Sequence, residues 1–175
     1  MSKKKTSTFY LTERLTLTTT GTPVTATIDL GAYVDVADRQ AVAIEAVDFI
    51  WQGTTADGEV ALSLGASSEA FVQITDLNRG GTIQFADDRA LVASGNLATD
   101  ANSGMSNSAD MYPDVFGARD GVRLVVNDQL YLTAEASNVA ANQSLNVTVR
   151  VKAHVAGLTA KDWMAIAIQS TAADN

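Results

Sequence analysis

The sequence predicts an all-β fold, an antiparallel β-sandwich or barrel, and three observations carry that reading. Short stretches alternate apolar and polar residues one by one, the period at which a strand sends successive side chains to opposite faces. Turn-forming pairs such as Asp57-Gly58, Gly80-Gly81 and Asn127-Asp128 separate these stretches. No stripe of 3.6-residue period is evident before residue 158. The clearest segment is SLNVTVRVKAHV, residues 144–155. There Leu145, Val147, Val149, Val151, Ala153 and Val155 share one face, while Ser144, Asn146, Thr148, Arg150, Lys152 and His154 share the other.

In chain order, FYLTERLTLTTT places Phe9, Leu11, Leu15 and Leu17 on one face, and Glu13 interrupts that face, which suggests an edge or a bulge. PVTATIDL turns Val24, Ala26, Ile28 and Leu30 inward. AVAIEAVDFIWQ is apolar on both parities: Val42 and Ile44 on one, Val47, Phe49 and Trp51 on the other. That pattern fits a central strand or a strand that changes sheet at a bend. After the hairpin signal at Asp57-Gly58, Val60, Leu62 and Leu64 align. AFVQITDL and GTIQFAD flank the NRGG turn at 78–81, and RALVAS reads as a short apolar strand. VRLVV and QLYLTAEA flank Asn127-Asp128, a spacing that predicts a tight hairpin. In LTAKDWMAIAI, Thr159 suits the cap of a short helical turn over Lys161 to Met164, whereas the β-branched ending equally suits a last strand.

The segment 94–120 fits no element. It is rich in small polar residues yet carries Leu97, Met105, Met111, Tyr112, Val115 and Phe116. Long structureless loops are uncommon in compact domains, so an excursion packing on this domain or on a neighbouring subunit is expected. The expected organisation is a basic tail over 1–7, one domain over 8–168 and a C-terminal tail over 169–175.

With 175 residues the chain suits one domain able to bury a large core. It has no cysteine, which excludes disulfides and thiolate metal sites. No apolar run is long enough to span a bilayer as a helix, and the charged start MSKKKTSTFY lacks the apolar stretch of a secretory signal. The net charge is −8, and setting aside Lys3, Lys4 and Lys5 leaves −11 on the rest. A field of that sign disfavours nucleic acid and leaves the three lysines as the part suited to an anionic membrane surface.

Chemistry-bearing constellations are scarce. One histidine and no cysteine leave zinc short of ligands. GMSNS lacks the final glycine of a nucleophile elbow. The carboxylate pairs Asp35/Asp38, Asp57/Glu59, Asp87/Asp88 and Asp110/Asp114 lie near turns or point apart, unlike two acids facing across a cleft. DANSG at 100–104 has part of a calcium-loop spacing without its distant Glu. The triplets at Asn142 and Asn146 match glycosylation acceptors, but Asn146 reads simply as a wet-face strand residue. We therefore expect no enzyme and no cofactor or metal.

At GVRLVVNDQLYLTAEAS followed by LNVTVRVKAHVAGLTAKDW, the chain resembles the small major capsid proteins of tailless icosahedral viruses with an internal membrane. The resemblance covers 121–168 and rests on a penultimate strand with a Dxlyl pattern, a long alternating strand and GLTxxDW. It implies an eight-stranded jelly roll standing upright on a capsid, made in a host cytoplasm. It also implies homo-oligomeric building blocks, often with a second capsid protein, above a bilayer. On that reading the candidate subunit contacts are the cationic row Arg150, Lys152 and His154, which would meet acidic turns of a neighbour, and the loop residues Met105, Met111, Tyr112 and Phe116. Lys3, Lys4 and Lys5 form the candidate membrane-facing tail. The alternative function is a carbohydrate-binding or adhesive jelly-roll module.

Overall fold

The computed structural model describes residues 3–54, 57–58, 60–61, 67–100, 102, 105–109 and 122–171. Two antiparallel sheets pack face to face as a β-sandwich, and one short helix follows at the C-terminal end. Strands β1 (Lys3–Lys4), β2 (Phe9–Leu17), β4 (Gln40–Thr54), β5 (Val60–Ala61), β9 (Arg123–Val125) and β11 (Ser144–Gly157) make the first sheet. Strands β3 (Val24–Asp29), β6 (Ser68–Thr75), β7 (Leu91–Asp100), β8 (Met105–Ala109) and β10 (Gln129–Ala136) make the second, in the order β3-β10-β6-β7-β8.

Eight of these strands make the jelly roll. The first pairs with the last, β2 with β11; β3 pairs with β10, β4 with β9 and β6 with β7. This is one long hairpin rolled up, giving β2-β11-β4-β9 against β3-β10-β6-β7. The remaining strands β1, β5 and β8 are short additions.

The core lies between the sheets, where the alternating patterns meet. Leu15, Leu17, Ile44, Val72, Ile74, Leu130, Leu132, Val147, Val149 and Val151 are all essentially inaccessible to water. Burying a side chain of this size contributes roughly 1.5–3 kcal/mol before chain entropy is counted. Across the layer Gly95 of β7 leaves room for Phe49 of β4: a Cβ at Gly95 would stand 2.7 Å from the Phe49 ring.

Helix α1 (Ala160–Thr171) settles the ambiguous C-terminal stretch as helix. Thr159 caps it, its Oγ1 accepting from the Asp162 N–H at 3.2 Å. Trp163, Ile166 and Ala167 pack on Ala41, Val126 and Leu158, so the helix covers the outer side of β4 where β4 begins. Helical spacing of three apolar residues won over the β-branched ending because that spacing finds an apolar floor.

Other expectations are corrected. Asn127-Asp128 does not close a tight hairpin: β9 and β10 lie in opposite sheets, so the turn carries the chain across the sandwich. The same turn residues serve either kind of reversal. GTIQFAD is not a strand, because residues 76–90 leave β6 and return as a loop to β7. The excursion expected over 94–120 begins as strand: 94–100 complete β7, and β8 pairs with it from Asp100↔Met105 to Asn96↔Ala109. Met105 is thus a strand residue, whereas Met111, Tyr112 and Phe116 lie outside the described residues. The N-terminal segment is not a free tail, since Lys3 pairs with Gly157 and Lys4 with Ala156. At the other end, 169–171 belong to α1.

Candidate functional site

The two apolar parities of β4 have one cause. Lys152 pairs with Ala46 and Ala153 with Ile44, which leaves Glu45 as an extra residue, a β-bulge. Beyond it the parity flips, so Ile44 and Val47 both face the core. The central-strand expectation holds, since β4 lies between β11 on one side and β5 and β9 on the other; it stays in one sheet, and its parity changes at one inserted residue.

That insertion puts the Glu45 carboxylate among the polar side chains of β11 and the N-terminal segment. His154 Nδ1 is 2.8 Å from Oε1, Lys152 Nζ 3.2 Å from Oε2 and Lys4 Nζ 3.5 Å from Oε1. The Thr8 hydroxyl donates to Oε1 at 3.1 Å and accepts from Lys4 Nζ at 3.0 Å. Partial burial alone would raise the Glu45 pKa. Hydrogen bonds from His154, Lys152 and Thr8, with the Lys4 charge, outweigh it and hold the pKa down to about 2. The group is a clamped anion. It joins β4, β11 and the N-terminal strap, which is also stitched by Lys5 N–H to Val155 O at 2.8 Å and Val155 N–H to Thr6 Oγ1 at 2.9 Å.

The predicted cationic row therefore exists, but it is not a row of charges facing solvent alone. Lys152 and His154 are engaged by Glu45 within the subunit. Arg150 is exposed and lies over the Tyr10 ring, 5.1 Å from its centroid, a cation–π arrangement. Lys4 is tied into the same cluster rather than projecting as part of a tail, with Lys3 and Lys5 beside it on the strap.

A second ionic contact closes the end of the sandwich. Arg123 of β9 approaches Asp76, just past β6, at 3.4 Å and donates to the Arg89 carbonyl at 2.7 Å. Asn127 donates to the Asp76 carbonyl. Burial pushes the Asp76 pKa up from its usual 3.8, against the Arg123 charge that lowers it. Ionising this group thus opposes folding: its contribution is greatest below pH 3.8 and falls as pH rises through the raised value. Both clusters join distant segments, and neither presents a nucleophile to a cavity.

Sequence reasoning singled out the β11 row and missed its organiser. The usable signal was a charged residue inside an apolar segment at the point where apolar parity switches. The chain matches no protein-family model, and no curated protein matches it.

Proposed function

We propose that this chain is a structural subunit that assembles with copies of itself into a shell, a capsid protein of the tailless icosahedral, internal-membrane type, alongside a second capsid protein. Jelly-roll strand pairing supports the reading, as does the resemblance over 121–168, which spans β9, β10, β11 and the first nine residues of α1. Fold alone does not assign function.

The observation that carries assembly is on α1. Its inner side grips the sheet through Trp163, Ile166 and Ala167, yet Met164 and Ile168, one turn apart, remain 59% and 60% exposed. Residues four apart share one helix face, so these two make an apolar ridge pointing away from the body. An apolar ridge on a helix already docked gains nothing in an isolated subunit and gains burial in an oligomer. Arg150 with Tyr10 is the remaining outward contact of the cationic row. Lys3 and Lys5 supply charge for a bilayer surface, each contributing about 1 kcal/mol near anionic lipid. On this reading the protein is synthesised in a host cytoplasm and resides in the virion.

The test is light scattering after size exclusion across protein and salt concentration. Concentration-dependent rings, sheets or particles are expected, and the double substitution Met164→Ser with Ile168→Ser should abolish them at nearly unchanged melting temperature. A monomer at every concentration overturns the proposal.

A further inference from the structure

We infer that the outer face of the second sheet carries a binding cleft for a neutral saccharide, independent of the assembly surface. Its floor is built by strand register. Tyr131 of β10 lies between Thr27 of β3 and Thr75 of β6, and Thr133 lies between Thr25 and Gln73. All six point away from the core, because Ala26, Ile28, Val72, Ile74, Leu130 and Leu132 occupy the opposite parity. Four of them, Thr25, Thr27, Tyr131 and Thr133, line the cleft with hydroxyls and one aromatic ring, while Gln73 and Thr75 are buried and bonded to the backbone of the following segment.

The wall is the loop 76–90. Gln73 holds it with two hydrogen bonds, donating to the Gln84 carbonyl at 2.8 Å and accepting from the Gln84 N–H at 2.7 Å. Arg79 and Asp88 pin it with an ion pair at 3.0 Å, and Asp88 also accepts from the Ala90 N–H at 2.8 Å. Gly80 and Gly81 turn the tip with φ of 64° and 81°, the left-handed region where glycine is unstrained. The tip reaches β3: a Cβ at Gly81 would stand 3.1 Å from the Thr25 methyl. Between this wall and the floor lies an open cleft of about 530 Å3. That volume falls in the range of small-ligand sites.

The chemistry selects the ligand class. The Arg79 charge is matched by Asp88, and the chain as a whole carries −8, so nothing favours an anion. Threonine hydroxyls both donate and accept, which suits vicinal hydroxyls. The negative face of the Tyr131 ring suits the polarised C–H face of a pyranose. Because the loop is held from both ends, the cleft exists before the ligand arrives, which limits the entropy lost on binding.

The full chain, fluorescently labelled, is applied to an array of bacterial, archaeal and eukaryotic surface glycans, and the hits are titrated by saturation-transfer NMR. Binding to a restricted set of neutral saccharides is expected. Tyr131→Ala should weaken it about tenfold or more, while Tyr131→Phe keeps the ring and most of the affinity. Thr27→Arg, at an exposed strand position, should block the cleft without touching the core. No bound glycan on the array overturns the inference, and so does binding that survives both Tyr131→Ala and Thr27→Arg. Loss of oligomers in Thr27→Arg without any saccharide binding also overturns it, and makes this face a subunit contact.

Discussion

Glu45 ties three segments of the chain to one carboxylate. Two cations, an imidazole and a hydroxyl converge on one carboxylate, which ties the N-terminal strap to β4 and β11. The unfolded carboxylate titrates near 4.5 and the folded one at about 2. The stabilisation is therefore complete above pH 4.5 and is lost as pH falls toward 2. Glu45→Gln should lower stability at pH 7 by about 1–2 kcal/mol, modest because Lys4 and Lys152 are partly solvated. The variant should also lose less stability than the native chain between pH 4.5 and 2. Denaturant unfolding at a series of pH values checks both, and equal slopes for the two proteins would show the cluster to be decorative. Part of this site was legible: alternation alone put Lys152 and His154 on one face. Their partner was not, because Glu45 becomes a neighbour only through a bulge, and Lys4 and Thr8 arrive from the far end of the chain.

Elements were legible where one face is dry and the other wet. β2, β3, β10 and β11 follow their alternation, and Glu13 does lie on an edge strand, since among the described residues β2 pairs with β11 alone. Elements failed where polarity does not alternate. The half of β7 over Ser94–Asp100 is mostly small and polar, so it resembles loop, yet Ser94–Thr99 pair with β6 and Asp100 pairs with β8. Its Gly95 has a packing role that no propensity scale reveals, namely the seat of the Phe49 ring. Gly95→Ala should destabilise the fold by about 1–3 kcal/mol through overpacking, despite the usual strand preference for alanine over glycine. Adding Phe49→Leu should recover part of that loss, as measured by chemical denaturation of the single and double variants. An unchanged Gly95→Ala midpoint would mean that the two sheets yield at this point.

At the scale of the molecule, the sheets are assembled from ends that are distant in sequence: Lys3 pairs with Gly157 and Leu17 with Leu145. Closing such loops precedes the contacts that reward it, so refolding should take milliseconds to seconds rather than microseconds. Stopped-flow fluorescence of Trp51 and Trp163 measures this directly, and a microsecond phase carrying the full amplitude would contradict the long-range nucleus. The proposed assembly surface and the proposed saccharide cleft lie on different regions: α1 over the first sheet, the cleft on the outside of the second. By itself the sequence determined that this protein is an antiparallel β-sandwich or barrel with a helix-capable end, and which side chains of its cleanly alternating strands enter the core, because a two-residue period states the dry face of such a strand without reference to any other. Only the tertiary structure decided strand order, the crossing at Asn127-Asp128, the bulge at Glu45 and the fold-back of loop 76–90. Those depend on which distant segments meet, and alternation says which way a side chain points, never what it points at.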